Sequence, residues 1–360
     1  MKKFAIIAGL ILLLIILIAS SRGIELLREA QFYEKLDDGA VQCNLCPNYC
    51  RLPEGIKGLC RVRQNIDGTL YSLVYNKPVS VNIDPIEKKP LYHFYPGSNI
   101  LSLATVGCNL RCNFCQNWTI SQSNPGEVQS YNATPEEIVE LAKEYKCKSI
   151  AFTYTEPTVF YEYMIDIAKC AKENGIKTVW VTCGYINEEP LRQLIPYLDA
   201  ANIDLKGYSE DFYSTYTTGT LETVLRTIEI CKEEGLYFEI TNLVIPDAND
   251  DPDMIRDMCV WLKDTIGTEY PLHFSRFSPQ FKLTNRPPTP VKTLEKAYEI
   301  AKEVGLKYVY IGNVVTASED TFCPNCGKKI IDRYGFSVNE IHITNGKCDF
   351  CGYKIFGEFE

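Results

Sequence analysis

Positive charge is in deficit in this chain: 37 Lys and Arg stand against 46 Asp and Glu, a formal net charge of −9. A general nucleic-acid surface needs a basic face, so no nucleic-acid partner is expected. Repeats of the length that builds solenoids are missing, as are low-complexity tracts, and RPPTP (Arg286 to Pro290) is only a short rigid loop. The small, loop-rich build of a secreted disulfide scaffold is missing too. The 360 residues carry alternating strand and helix periods, with an ordinary 46% hydrophobic and 23% charged composition.

What is present in excess is cysteine. Of 16, eleven fall into three compact clusters, leaving Cys147, Cys170, Cys183, Cys231 and Cys259 dispersed. Clustering argues for metals in a reducing compartment. Cys108, Cys112 and Cys115 stand in TVGCNLRCNFCQNW, directly after the strand-like run NILSLAT. Three thiolates packed so closely on a loop can bind three irons of a [4Fe-4S] cluster and leave the fourth without a protein ligand. A vacant position of that kind separates catalytic metal sites from closed ones.

With those residues in view, the chain resembles the radical SAM superfamily, whose hallmark is CxxxCxΦC, with Phe114 in the aromatic position. The stretches FYEKLDDGAVQCNLCPNYC, LYSLVYNKPVSVNIDPIEKKPLYHFYPGS, NIDLKGYSEDFY, HFSRFSP and YVYIGNV extend the likeness from about residue 30 to the end. They resemble the AmmeMemoRadiSam-system radical SAM enzymes, relatives of the pyruvate formate-lyase activating enzymes. The resemblance implies S-adenosylmethionine (SAM) on the open iron, its reductive cleavage to a 5'-deoxyadenosyl radical, and hydrogen abstraction from a protein or metabolite substrate. It also implies a low-potential electron donor and AMMECR-like and Memo-like partner proteins. One alternative is a glycyl-radical-enzyme activase; another is a membrane-tethered metal-binding scaffold without turnover.

Further contacts to SAM are implied residue by residue. Glu156, with Thr155, lies in TYTEP, where related activating enzymes carry Gly-Gly-Glu and this chain has Tyr154 and Thr155 in place of the glycines. Asp204 and Lys206 in NIDLK match the family's Asp-x-Lys, while Gly312 and Asn313 in YIGNV would approach the adenine, with Phe114 stacking nearby. The bland competitors are a solvated loop glutamate and a surface ion pair. In HFSRFSPQ, Ser278 stands where relatives often carry histidine, so His273 and Arg276 remain candidates, although a histidine in an apolar strand is more often a satisfied core group. No catalytic residue is assigned beyond the cluster.

Two cysteine clusters flank this core. Cys323 and Cys326 in CPNC pair with Cys348 and Cys351 in CDFC, each CxxC followed by glycine, the pattern of a zinc ribbon; a rubredoxin-like iron or a redox dithiol are lesser alternatives. Cys43, Cys46, Cys50 and Cys60 suit neither a standard ferredoxin nor a two-knuckle ribbon, and either zinc or a second iron-sulfur cluster is expected there.

At the amino terminus Lys2 and Lys3 precede an uncharged run from Phe4 to Ser21, in which every residue from Leu10 to Ile18 is Leu or Ile. It reads as an uncleaved membrane anchor or a cleaved signal peptide; flanking charges do not settle orientation. The implied cofactor chemistry favours an anchor with a cytoplasmic body. Residues 24 to 38 read as an amphipathic connector helix carrying Ile24, Leu27, Phe32 and Leu36. From Asn99 onward strands and helices alternate, with the polar residues at strand ends, which predicts an α/β fold, a partial (β/α)6 TIM-like barrel. The expected organisation is an anchor or signal over 1–21, a connector and Cys-rich element over 22–98, a core barrel over 99–318 and a zinc ribbon over 319–360.

Overall fold

The computed structural model describes residues 27–314 and 319–360. Its centre is an eight-stranded sheet of β1 (Ser80–Pro85), β2 (Asn99–Ala104), β3 (Ser149–Phe152), β4 (Lys177–Thr182), β5 (Ala200–Asp204), β6 (Tyr237–Val244), β7 (Leu272–Arg276) and β8 (Val309–Gly312), neighbours in chain order. β1 is antiparallel to β2, and every later pair is parallel.

The six crossovers each carry a helix: α1 (Pro135–Glu144), α2 (Tyr161–Glu173), α3 (Glu188–Leu194), α4 (Leu221–Glu233), α5 (Pro252–Ile266) and α6 (Val291–Val304). Each longer helix buries one stripe, such as Ile138, Val139 and Ala142 on α1, and starts on a cap where the sequence supplies one. Thr134 and Glu137 form a reciprocal capping box on α1, and Asp251 accepts from the first turn of α5. Right-handed crossovers that always step to the next strand curl the sheet with its helices outside, so the loops after the parallel strands gather at one rim. The α/β architecture is the one expected, but the sheet takes in one strand from the segment assigned to the amino-terminal element. Ser80–Pro85 pairs with β2 along its whole length.

The connector helix expected over residues 24 to 38 is absent from the described part of that segment. Arg28–Glu29 pairs with Thr69–Ser72, and Tyr33–Lys35 pairs with Val41–Cys43. A continuous helical stripe through Leu27 and Phe32 would need apolar side chains at the intervening positions of that face, which are Arg28 and Gln31. Instead Phe32 takes a φ of 55° and packs edge-on against Tyr161 at 5.2 Å, and the Gln31 N–H donates to Glu162 at 2.8 Å. The expectation of a membrane anchor is likewise corrected: among the described residues no helix is long and apolar enough to cross a membrane. The run 1–21 that prompted it lies outside the described residues.

β1 and β8 are the two edges of the sheet, and the ribbon packs on the segment after β1 and on β8, where Thr321 Oγ1 lies 2.9 Å from the Tyr310 hydroxyl. Its strands Thr321–Phe322, Lys329–Tyr334 and Ser337–Ile341 form a small antiparallel sheet. From it the buried Arg333 donates to the Tyr92 carbonyl at 2.6 Å and to Thr321 Oγ1 at 2.7 Å, and lies over the Tyr92 ring at 4.3 Å. The last residues run alongside the same segment: Tyr95 N donates to Glu358 O at 2.7 Å and Glu358 N to His93 O at 2.8 Å. Gly357 passes so close to the His93 carbonyl that a Cβ would sit 2.3 Å from it.

His93, fully buried in this joint, lies 2.7 Å through Nδ1 from the Phe356 carbonyl and 2.6 Å through Nε2 from the Tyr310 hydroxyl, partners that suit a neutral ring donating from Nδ1. Burial lowers its pKa from 6.5 to about 4. The unfolded chain therefore binds a proton between those values that the folded chain does not, and stability should rise with pH across that window. Unfolding free energies from urea titrations on both sides of the window should differ more for the wild type than for His93→Gln, by up to roughly 3 kcal/mol. Equal pH slopes would remove His93 from the acid response.

Candidate functional site

β2 is buried along five of its six residues and delivers the chain to a turn at Gly107, whose φ is 98°. A Cβ at Gly107 would lie 2.6 Å from both the Cys60 carbonyl and Val62 Cγ1, so this position requires glycine. The loop that follows is pinned by its neighbours. Arg111 N donates to Thr217 O at 2.8 Å, Asn113 N to Tyr216 O at 2.9 Å, and Asn109 Nδ2 to Tyr185 O at 2.7 Å. Cys108 and Cys112 are buried and Cys115 is half-buried, 3.2 Å from Ser121 Oγ. Burial, then the neighbouring Cys112, raises the Cys108 pKa well above a free thiol's, and burial takes Cys112 to about 12. Metal loading would therefore displace protons from these thiols.

All three cysteines line a cavity of about 700 Å³, within the size range of small-molecule sites. Its wall is built from strand ends. Lys206 Nζ, after β5, pairs with Asp204 Oδ2 at 2.8 Å and stands 5.9 Å from the Phe114 ring, with 11% of its side chain exposed. This is no surface ion pair. Burial opposes the ammonium charge, but Asp204 and the neighbouring Cys183 and Cys112 together outweigh it, and the Lys206 pKa stands well above its usual value. Thr155 and Glu156 follow β3, and Gly312 and Asn313 sit at the end of β8, with Asn313 in the left-handed region at φ 61°. The sequence-derived SAM candidates, from the triplet to Asn313, thus line one cavity.

Glu156 is not a solvated loop residue. It is buried, and its Oε1 accepts from Thr158 N at 3.1 Å, Thr158 Oγ1 at 2.7 Å and Thr182 Oγ1 at 2.8 Å, while Oε2 accepts from Cys183 N at 2.7 Å. It ties the ends of β3 and β4 together beside the cysteine loop. Tyr154, in place of a glycine, adopts φ 63°. Its hydroxyl donates to Asp84 and its carbonyl accepts from Asn117 Nδ2 at 2.8 Å. His273 also lines the cavity, but Nε2 is 2.6 Å from Glu239 Oε2 and both side chains are buried, so it behaves as a satisfied core group. Arg276 is engaged with the Thr289 carbonyl at 2.9 Å.

Three groups in the wall carried no site assignment from sequence. Cys183 at the end of β4 reaches the cavity, with burial raising its pKa well above the ordinary thiol value. Lys89 donates to Asp84 Oδ2 at 2.7 Å and lies over the Tyr154 ring at 4.3 Å; burial lowers its pKa to about 8. Glu319, Gly335 and Phe336 bring the ribbon into the same wall. Strand-end placement was the available signal for Cys183. No local signal marks Lys89 or the ribbon residues, because their positions depend on partners far along the chain.

Residues 102–259 match the Radical SAM superfamily. An uncharacterized protein of Methanocaldococcus jannaschii is 52% identical over 91% of this chain and 99% of its own length. The chain belongs to the radical SAM superfamily. It is an enzyme of the radical SAM class. The pyruvate formate-lyase-activating enzyme of Clostridium pasteurianum is 24% identical, covering 45% of this chain and 69% of that one. A GTP 3',8-cyclase of Clostridium perfringens (strain SM101) is 27% identical over 67% of this chain and 80% of that one.

Radical SAM membership implies a [4Fe-4S] cluster and SAM. The donor set fits a cluster better than a single ion. Among the described residues, the one group of three or more His, Cys, Asp or Glu whose ligand atoms all come within 4.8 Å of one another is the ribbon set, Cys323, Cys326, Cys348 and Cys351. The Cys108 triplet is held wider, as thiolates on separate irons require. In this radical SAM chain Glu156→Ala would leave four donors unpaired at the cavity wall, with an expected loss of roughly 3 kcal/mol in urea unfolding. An unchanged midpoint would show that Glu156 does not join the two strand ends.

Proposed function

We propose that this enzyme cleaves SAM reductively at a [4Fe-4S] cluster held by Cys108, Cys112 and Cys115 and uses the resulting 5'-deoxyadenosyl radical to abstract hydrogen from a protein or metabolite substrate. The observation that carries the reading is the opening of three cysteines, on a loop already pinned by its neighbours, into a 700 Å³ cavity walled by successive strand ends. When bound, the cluster would supply the electron that breaks the sulfonium carbon–sulfur bond and an open iron for the amino acid end of SAM.

The chain's own residues would orient the ligand. Thr155 and Glu156 line the cavity and would accept from an ammonium through the Thr155 carbonyl and through Glu156 Oε2, which carries only the Cys183 N–H, while the Asp204–Lys206 pair offers a carboxylate for ribose hydroxyls and an ammonium for the SAM carboxylate. The exposed backbone at Gly312 and Asn313 leaves space for a flat base, since a Cβ at Gly312 would meet only Ser275 Oγ, at 3.6 Å. The hydrogen bonds that hold the loop to its neighbours favour tight positioning of the reacting atoms.

The likeness to pyruvate formate-lyase-activating enzyme supports a second reading, a glycyl-radical-enzyme activase acting on a protein backbone. A low-potential electron donor and AMMECR-like and Memo-like proteins are the partners we propose. A scaffold without turnover is disfavoured by the cavity, which such a protein would not need. At the ribbon we propose structural zinc. Cys323 and Cys351 sulfurs lie 3.6 Å apart and those of Cys326 and Cys348 3.9 Å apart, close to the roughly 3.8 Å edge of a zinc–thiolate tetrahedron.

The anaerobically reconstituted chain, reduced and given SAM, should release 5'-deoxyadenosine, and Cys112→Ala should abolish it; release independent of Cys112 would overturn the proposal. Lys206→Ala should weaken SAM binding in equilibrium dialysis, and unchanged affinity would remove that residue from the site. A zinc chelator should lower the thermal midpoint while leaving the cluster absorbance in place, and an unmoved midpoint would exclude structural zinc.

A further inference from the structure

Cys43, Cys46, Cys50 and Cys60 all line one small, partly open void of about 20 Å³, larger than a single water requires. Leu45, Leu52 and Val159 supply apolar wall. Protein interiors rarely leave such a gap between side chains that could close on one another. Hydrogen bonds and turns set the backbone around it. Cys43 N donates to Cys50 O at 2.9 Å, Arg61 N donates to Gly58 O at 2.8 Å, and Tyr49 and Arg61 both hold positive φ, 40° and 71°. Gly58 lies against the set, since a Cβ there would be 3.6 Å from the Cys60 sulfur and 3.7 Å from that of Cys50.

The chain carries its own scale for reading such a set. The ribbon cysteines are drawn together to the dimensions of one tetrahedral ion, and among the described residues no other group of three converges so closely. The amino-terminal four share the wider arrangement of the Cys108 triplet instead. Four thiols held apart around an apolar void suit a polynuclear cluster, in which each sulfur binds a different iron, better than a single zinc.

The two wide sets share a wall. Asn109, between Cys108 and Cys112, lines the void of the amino-terminal set, and its carbonyl accepts from Asn48 Nδ2 at 2.8 Å. The Cys60 carbonyl is the group against which Gly107 packs. Adjacent residues of a common loop, Cys108 and Asn109, thus line the two sites. Within the set Cys46 and Cys50 are partly exposed while Cys43 and Cys60 are buried.

We propose that Cys43, Cys46, Cys50 and Cys60 hold a second [4Fe-4S] cluster, closed by four protein thiolates, that relays electrons from the surface to the site at Cys108, Cys112 and Cys115. The relay half rests on the function proposed above; the cluster half does not. A low-potential one-electron donor protein of the ferredoxin or flavodoxin kind is oxidised by one electron as the outer cluster is reduced. The outer cluster is then reoxidised as the inner one takes up the same electron. No atom is transferred, and no bond other than those within the clusters changes.

The test uses the full chain, reconstituted anaerobically with iron and sulfide, and its triple variant Cys108→Ala, Cys112→Ala, Cys115→Ala. The variant should keep about four irons and about one zinc per chain, with a reduced-cluster paramagnetic signal that SAM leaves unchanged. A variant without iron and with a second zinc would overturn the proposal. The wild-type signal should shift with SAM, and its failure to do so would count against the SAM reading while leaving the second cluster standing. For the relay, Cys50→Ser should lose reduction of the inner cluster by reduced ferredoxin while keeping reduction by dithionite. Equal rates with ferredoxin, or loss with both reductants, would overturn the relay.

Discussion

Where Gly107 meets the Cys60 carbonyl and the Val62 side chain, two backbones approach with no room for a methyl group. That contact fixes the first loop of the barrel against the amino-terminal element before any metal is considered. From it follow the heights of Cys108 and Asn109, the first facing the large cavity and the second the small void. A larger residue at 107 would push the loop away from Cys60, and the hydrogen bonds of Arg111 and Asn113 to the 216–217 backbone would have to stretch with it. The amino-terminal element is therefore part of the site's foundation.

Around this joint the charges are buried in pairs. Arg63 and Glu162 meet at 3.1 Å with almost no exposure, and Lys89 meets Asp84 at 2.7 Å. Glu239, fully buried on β6, accepts from the Tyr92 and His93 amides, the Tyr237 hydroxyl and His273. Burial pushes its pKa upward, but these donors outweigh that and hold it below the usual value. Isolated pairs of this kind contribute little net stability against hydrophobic replacements, yet losing one partner is costly, so they specify which surfaces meet. Arg63–Glu162 joins the amino-terminal element to α2, and the Glu239 cluster joins the barrel to the segment that receives the ribbon.

The alternation of strands and helices was legible because each helix buries a single stripe and each parallel strand is a short apolar run, both local patterns. The Cys108 triplet was legible for the same reason, its three ligands lying within eight residues. Residues 24 to 38 were misread because the apolar positions fit a helix only if Arg28 and Gln31 are ignored, and because pairing with Thr69–Ser72 and Val41–Cys43 is invisible locally. The sheet edge at Ser80–Pro85 was placed outside the barrel since its antiparallel pairing breaks the β/α rhythm used to find the barrel. Nothing local in EKKP marks Lys89, because Asp84 and Tyr154 enclose it, the latter from a strand end 65 positions later in the chain.

Tyr154 shows how a departure from a glycine pattern can be accommodated. The backbone there keeps the left-handed conformation that glycine adopts freely, at a cost of about 1 kcal/mol or more for a residue with a Cβ. The side chain returns interactions that glycine could not make, a hydroxyl donated to Asp84 and a ring beneath the Lys89 ammonium. Its carbonyl accepts from Asn117, two residues beyond Cys115, so the turn after β3 is tied directly to the cysteine loop after β2. Tyrosine thus preserves the backbone path that glycine allows and adds a link from the cysteine loop, through Asp84, to β1 at the edge of the sheet.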